Sequence, residues 1–423
     1  QLSKARVPRW LTEGAAVAEE IALDASFDRR MEREVYSALV TDSVIGVDEL
    51  NKVFGSSQIL LGYYQGGLIC RHISEKWGFA KVVDIIKAFG EDLGTGEIFE
   101  RELGMSPDAY DEAFQGWLRE RLGDYALVPT IDEAALTSLL EAAAQRPDDA
   151  KLRLRLAQGF EQRGNPVDTG AQLAILAKLD PKNGDAMLLR AKMAARRKDL
   201  DGARKYLVQG FENGGDDFDS RMLHASILIS AGREEAALDE LGRAIACWPT
   251  CPIGGDASPF VMRSRLFKKL GREAEALDEL VRYTSIVGKD YEAQVELAQH
   301  WEKAGQVDRE PACLERARDI DPFDRSLHER LATIYGTRGR HEEAAFCLRI
   351  AIAVKPELDR KARASGGEGN EPAADAAGSV DDERRDAARL RVLLAESLLQ
   401  AGRATEAKAE AERALRDADL LDS

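Results

Sequence analysis

Between Arg325 and Pro356 small and apolar residues recur at helical spacing in two runs, Leu331, Ala332 and Tyr335 and then Ala344, Leu348 and Ala351, with Gly339 between them and Pro356 after them. Apolar positions three and four apart share one face of a helix, so the stretch predicts two amphipathic helices joined by a turn. Glycine at the joint favours the left-handed conformation that closes a helix. Proline after the second run cannot continue its hydrogen-bond ladder. The pattern repeats along the chain. Prolines fall at 147, 181, 249, 322 and 356, at intervals of 34, 68, 73 and 34 residues, and glycines at 164, 232, 271, 305 and 339, at intervals of 68, 39, 34 and 34. One insertion of five residues, in the turn-rich run Cys247-Trp-Pro-Thr-Cys-Pro-Ile-Gly-Gly-Asp256, accounts for both irregular intervals. Alanines at 203, 237, 276 and 344 form a third series, broken where Glu310 replaces the expected alanine.

A 34-residue period with small, apolar and proline positions at these offsets resembles the tetratricopeptide repeat, a helix-turn-helix unit that stacks on its neighbours. In the unit from Arg325, Leu331, Ala332, Tyr335, Gly339, Ala344, Leu348, Ala351 and Pro356 stand at the family's seventh, eighth, eleventh, fifteenth, twentieth, twenty-fourth, twenty-seventh and thirty-second positions. The register fits units opening near Ala150, Gly184, Phe218, Ala257, Tyr291 and Arg325, spanning 150–356, and a seventh near Ala388, within 387–423. Thr169 and Glu310 occupy two of the small-residue sites, where close packing is expected to suffer. Residues 131–149 read as a capping half-repeat stopped by Pro147. Residues 357–386, which include ARASGGEGNEPAADAAGS, have almost no large apolar side chains and are expected to be disordered. The expected fold is all-α, a helical subdomain over 1–125 followed by an α-solenoid.

In the subdomain Gly78, Gly90, Gly104 and Gly123 each follow a helix-like segment, as expected of residues just past a helix end, and Ser106-Pro107 supplies a cap with proline at the first helical position. No alternating strand pattern of useful length is present. The stretch Pro8-Arg-Trp-Leu-Thr-Glu-Gly-Ala-Ala-Val-Ala-Glu-Glu20 resembles the Trp-Leu-x-Glu-Gly-x-Ala helix of gluzincin, peptidase-MA-like zinc peptidases. The resemblance implies Glu13 as third zinc ligand, beside two histidines of a His-Glu-x-x-His helix. It also implies that Gly14 admits that helix closely, against an apolar face of Trp10, Leu11, Val17 and Ile21. Gly62-Tyr-Tyr-Gln-Gly-Gly resembles the Tyr-x-Gln helix of the same group, and Tyr63 or Tyr64 is then implied as an oxyanion stabiliser. The chain has no His-Glu-x-x-His: its histidines are His72, His224, His300, His328 and His341, with no i, i+4 pair. One carboxylate cannot hold a catalytic zinc, so this chain alone is expected to be inactive and without cofactor. Either the missing helix lies upstream of Gln1 and the intact protein is a zinc peptidase, or the chain is a non-catalytic relative that keeps the scaffold. His72, among charged neighbours, reads as a solvated helix residue.

Composition adds three constraints. The chain of 423 residues carries 59 Lys and Arg against 75 Asp and Glu, a formal charge of −16, which argues against nucleic acid as the main partner. No apolar run is long enough to span a bilayer, and the opening QLSKARVPRW shows no charged-then-apolar leader. Five scattered cysteines form no disulfide framework; Cys247 and Cys251 frame the inserted turn and are expected to be structural, with a disulfide between them open if the protein is exported. By the family resemblance the bacterial envelope or export is favoured over the cytoplasm. The family's groove-lining positions, second, fifth, ninth, twelfth and thirteenth of each unit, include Lys192, Arg196, Arg265, Lys268, Lys269, Gln299 and Lys303. This basic stripe is expected to receive a protein or peptide partner with acidic or carboxylate-terminal groups.

Overall fold

The computed structural model describes residues 6–24, 31–306, 308–354 and 380–419. Among these every regular element is helical. The first six α-helices are α1 (Arg9–Leu23), α2 (Glu32–Val40), α3 (Ile59–Trp77), α4 (Phe79–Ala88), α5 (Thr95–Leu103) and α6 (Pro107–Leu122). Helix α7 (Glu133–Gln145) precedes a series of pairs: α8 (Ala150–Gln162) with α9 (Pro166–Leu179), α10 (Gly184–Arg196) with α11 (Leu200–Glu212), α12 (Phe218–Ser230) with α13 (Glu234–Cys247), and α14 (Pro259–Lys269) with α15 (Glu273–Ile286). Three more pairs follow: α16 (Tyr291–Lys303) with α17 (Arg309–Ile320), α18 (Arg325–Thr337) with α19 (His341–Ala353), and α20 (Val380–Gln400) with α21 (Ala404–Asp419). Contacts divide the chain into two compact units, Gln1–Ile286 and Val287–Ser423. Residue 125, where the sequence suggests a boundary, therefore lies inside the first unit.

The first helices of the pairs open at the residues the register marks, with α14 starting at Pro259 rather than Ala257 and α20 at Val380 rather than Ala388. Asp149, Asn183, Asp217, Asp290 and Asp324 each cap the helix that follows, accepting backbone N–H groups of its first turn. The turn inside every pair needs a left-handed residue: Gly164, Gly232, Gly271, Gly305, Gly339 and Gly402 have φ between 65° and 78°. In the second pair the same place is taken by Lys198, at φ 62°.

Where the repeat pattern lapses, polar side chains find local partners. Thr169 is buried and its hydroxyl donates to the Asn165 carbonyl at 2.7 Å. Glu310, also buried, accepts from Arg330 at 2.9 and 3.1 Å, so the carboxylate is paired rather than a packing fault. The expected disordered insertion lies outside the described residues up to 379, as does Pro356. Its last part is corrected: residues 380–386 are helical, and Asp386 meets Arg325 while Arg389 donates to Glu329 at 2.5 Å, ion pairs that a count of large apolar residues does not register.

The amino-terminal helices of the first unit enclose a core that includes Trp10, Leu11, Ile69, Ile73, Phe99, Tyr110 and Phe114. Here α1 crosses α3 backbone to backbone. A Cβ on Gly14 would lie 2.5 Å from the carbonyl of Gly66, and one on Gly66 would lie 2.7 Å from the Trp10 carbonyl oxygen. The close approach expected at Gly14 is thus made by α3 of this chain. His72 is corrected from a solvated to a core residue: it is 4% exposed, its Nδ1 lies 3.1 Å from the Tyr110 hydroxyl, and Trp77, Phe114 and Trp117 ring it. Its charged sequence neighbours point elsewhere, Arg71 to Glu75 at 2.8 Å, because adjacent helical residues do not share a face. Of the four glycines expected past helix ends, Gly78 and Gly104 have positive φ; Gly90 lies in a 3-10 turn whose left-handed residue is Asp92, and Gly123 is right-handed.

Candidate functional site

The positions that the family resemblance assigns to a groove fall on the first helix of each pair, and in the first unit Asp185, Leu188 and Lys192 among them line a cleft with a segment of the chain itself. Residues 124–132 have no helical period and are broken by Pro129. The segment runs past Gln158 of α8, Asp185, Leu188, Leu189 and Lys192 of α10, and Asp216 and Asp217 before α12, leaving a cleft of about 330 Å³. Asp185, Leu188 and Lys192 are the second, fifth and ninth residues of their unit, the positions assigned to the groove.

The segment is held by its backbone. Ala126 N–H donates to the Cys247 carbonyl at 3.0 Å, and the Ala126 carbonyl accepts from Phe218 N–H at 2.9 Å. The Pro129 carbonyl accepts from Gln162 Nε2 at 2.8 Å, and Ile131 N–H donates to Gln162 Oε1 at 3.0 Å. Thr130 N–H donates to Ser37 Oγ at 3.0 Å. Leu127, 5% exposed, is its buried anchor.

Helix α2 reaches α12 at Asp219, the second residue of its unit. Arg33 makes a forked pair with Asp219 of α12 at 3.0 and 3.3 Å and lies over the Trp248 ring at 5.0 Å. Glu32 accepts from Trp248 Nε1 at 3.3 Å, from the Tyr125 hydroxyl at 3.4 Å and from Thr250. The inserted turn therefore reaches back to the front of the unit. Cys247 and Cys251 within it are free thiols, both buried, and burial pushes each up to about 12.

The cations of the basic stripe differ in their surroundings. Lys192 is half-buried and its ammonium pairs with Asp217 at 3.1 Å, because Asp217 already caps α12 beside it, accepting Ser220 N–H at 2.9 Å. Arg196 pairs with Glu161 at 2.6 Å. Arg265, Lys268 and Lys269 are exposed on α14; Arg265 meets Asp256, and Lys269 meets Glu234 at 2.6 Å. In the second unit Gln299 and Lys303 are exposed on α16. Signals for the covered groove were present in the sequence, a proline-broken apolar stretch, Tyr-Ala-Leu-Val-Pro, directly before a capping helix, but nothing in the period says where such a stretch docks.

The residues of the peptidase resemblance lie on the α1 and α3 pair. Glu13 is partly exposed and its carboxylate lies 3.4 Å from Arg9 Nε; Arg9 Nη2 also donates to the Tyr63 hydroxyl at 3.0 Å. Tyr64, 4% exposed, is turned into the core and borders a cleft of about 920 Å³ with Ala18, Leu68, Arg71, Phe79 and Trp117. Tyr63 and Tyr64, adjacent on the helix, thus have different surroundings. Among the described residues no three of His, Cys, Asp and Glu gather where a metal could be held. Of the ligands the resemblance implies, this chain supplies Glu13, and Arg9 is its ion-pair partner. No helix among the described residues is long and apolar enough to cross a membrane.

Residues 171–209 match the tetratricopeptide repeat family model. Among solved structures the chain is similar to the Pseudomonas aeruginosa pilF protein at 14% identity, with 52% of this chain and 99% of that one covered and a TM-score of 0.34. It is similar to a tetratricopeptide repeat protein from Parabacteroides merdae at 16% identity, with 64% and 97% covered and a TM-score of 0.32. It is also similar to YrrB, described as a TPR protein with an unusual peptide-binding site, at 15% identity, with 54% and 99% covered and a TM-score of 0.25. No curated protein matches the chain.

Proposed function

We propose that the chain is a protein-interaction scaffold whose stacked helical pairs take an acidic or carboxylate-terminated peptide on the groove-lining cations of α14. The observation that carries this reading is the contrast along the first unit. Among groove positions of the first three pairs, Leu188 and Lys192 line a cleft with residues 125–129 and Asp219 pairs with α2, while Arg265, Lys268 and Lys269 of the fourth stand exposed. The pairs that Arg265 and Lys269 make with Asp256 and Glu234 are solvent-facing, of the kind worth about 0–1 kcal/mol. A ligand carboxylate can replace them at little cost and gain charge-assisted hydrogen bonds. The test is an array of peptides with acidic carboxyl-terminal residues, read by fluorescence anisotropy on the full chain at two salt concentrations. Binding that weakens with salt and falls about tenfold or more in Lys268→Glu/Lys269→Glu supports the reading. Binding that the double charge reversal leaves unchanged removes it.

A second reading keeps the peptidase resemblance for the intact protein, because the Glu13 carboxylate stays partly open to its surroundings on α1, with Arg9 linking it to the Tyr63 hydroxyl. In such a protein zinc supplies an activated water, and this chain contributes one ligand carboxylate and a tyrosine hydroxyl. The codons upstream of Gln1 decide whether a His-Glu-x-x-His helix exists. If it does, zinc content of the purified intact protein should fall in Glu13→Gln; an unchanged zinc content sets the reading aside. Without that helix the adaptor reading stands alone.

A further inference from the structure

We propose that residues 125–130 are a resident ligand of the groove on the first three helical pairs, and that this groove accepts in trans an extended peptide of the same chemistry. That chemistry is an aromatic residue, a leucine two places on and a proline two places further, as in Tyr125-Ala-Leu-Val-Pro129. The inference deepens the scaffold reading and rests on it, since it assigns a second peptide class to a different stretch of the same face.

Three observations converge. First, the segment is bound as an extended peptide is bound, by its main chain: Ala126 both donates and accepts, the Pro129 carbonyl accepts, and Thr130 and Ile131 donate. Such contacts do not depend on side-chain identity, so another peptide can make them. Second, specificity resides in one pocket. Leu127 is the buried anchor beside the cleft that Leu188 and Leu189 line, and the Tyr125 ring stacks on Tyr36 at 6.5 Å between centroids. Third, proline suits its place, because the groove takes the Pro129 carbonyl and the site loses no donor through the missing N–H.

Tethering explains why the site is closed in this chain. A segment joined by a short connection to its own groove acts at an effective concentration on the order of millimolar, so a free peptide of equal intrinsic affinity is outcompeted. Release of the segment opens the groove.

The probe is the fluorescein-labelled peptide Asp-Tyr-Ala-Leu-Val-Pro-Thr-Ile, titrated against the full chain. The wild type should not saturate with it. Leu127→Asp, which removes the anchor of the resident segment, should bind it about tenfold or more tightly, while the peptide carrying Asp for its own Leu should not bind. A Leu127→Asp chain with unchanged helicity that binds the probe no better than wild type overturns the proposal, as does equal, saturable binding to both. Should Leu127→Asp lose helicity, Ser37→Ala/Gln162→Ala decides. That variant removes three hydrogen bonds to residues 129–131 and no buried apolar side chain, and a helical variant that binds no tighter than wild type overturns the proposal. Acidic-peptide binding, measured on the same proteins and sensitive to Lys268 and Lys269, reports on the scaffold reading independently.

Discussion

Lys198 offers a direct measurement of what the repeat's turn costs. It is the one residue other than glycine at the left-handed place inside the described helical pairs, at φ 62°, while Gly232 holds the equivalent place at φ 68°. The left-handed conformation disfavours an L side chain by about 1–2 kcal/mol. Glycine gives back about 0.4–1 kcal/mol through its freer unfolded chain. The difference predicts that Lys198→Gly stabilises its turn by about 0.5–1 kcal/mol and that Gly232→Lys destabilises by a similar amount. No packing term enters at Gly232, since a Cβ there meets nothing within 4 Å. Lys198→Ala, which removes the charge and keeps the Cβ, isolates the backbone part. Repeat arrays lose all-or-none unfolding, so the assay is local: amide exchange by mass spectrometry on fragments spanning α10 and α11 of the full chain. Exchange should slow about two- to fivefold in Lys198→Gly, stay within a factor of two in Lys198→Ala, and quicken in the turn of Gly232→Lys. Unchanged or faster exchange in Lys198→Gly would refute the assignment of strain to this turn.

Gly14→Ala should cost about 1–3 kcal/mol, because its methyl meets the Gly66 backbone, which has no side chain to move aside; chemical denaturation followed by tryptophan fluorescence, with Trp10 on the same helix, reads the loss. Two groups on adjoining helices give stability opposite dependences on pH. Burial raises the Asp111 carboxyl from its ordinary 3.8 to about 6, so between these values the folded chain holds a proton the unfolded chain has lost. Stability from this group therefore declines as pH rises from about 4 to 6, and Asp111→Asn should flatten that slope in a series of urea midpoints. Burial lowers His72 below its ordinary 6.5, so its contribution is complete above pH 6.5 and fades as the medium is acidified. His72→Gln should lose that acid sensitivity, and a midpoint that still falls below pH 6.5 by the wild-type amount would contradict the assignment.

The regular part of the fold was legible because one short rule is repeated. Small residues at fixed places, a glycine between helices and a proline after each pair recur often enough that single departures, Thr169 and Glu310, do not hide the period. Thr169 and Glu310 were legible as departures, but their remedies were not, and Lys198 at the left-handed place was seen only in the structure. The pairing of Glu310 with Arg330 and the hydroxyl of Thr169 turned to Asn165 depend on side-chain direction. His72 was misread for a related reason: charged neighbours in sequence lie on other faces of the helix, and the Tyr110, Phe114 and Trp117 that bury it come from a helix more than thirty residues on. The groove was half legible. Its positions could be numbered from the family register, yet which of them are covered depends on where Leu127 and Arg33 dock, and contacts so distant along the chain leave no local periodicity.

The inserted turn has a bearing on how this protein can change over generations. Repeat arrays commonly lengthen or shorten by whole units, because neighbours are interchangeable. Here the Cys247 carbonyl is bonded to Ala126, and Trp248 and Thr250 are bonded to Glu32, so three helical pairs are spanned by a bridge of fixed length. Gain or loss of one unit between residues 131 and 247 would carry the bridgehead away from its footing. Change in unit number within that stretch is therefore expected to be disfavoured, with Cys247, Trp248 and Thr250 acting as a keystone.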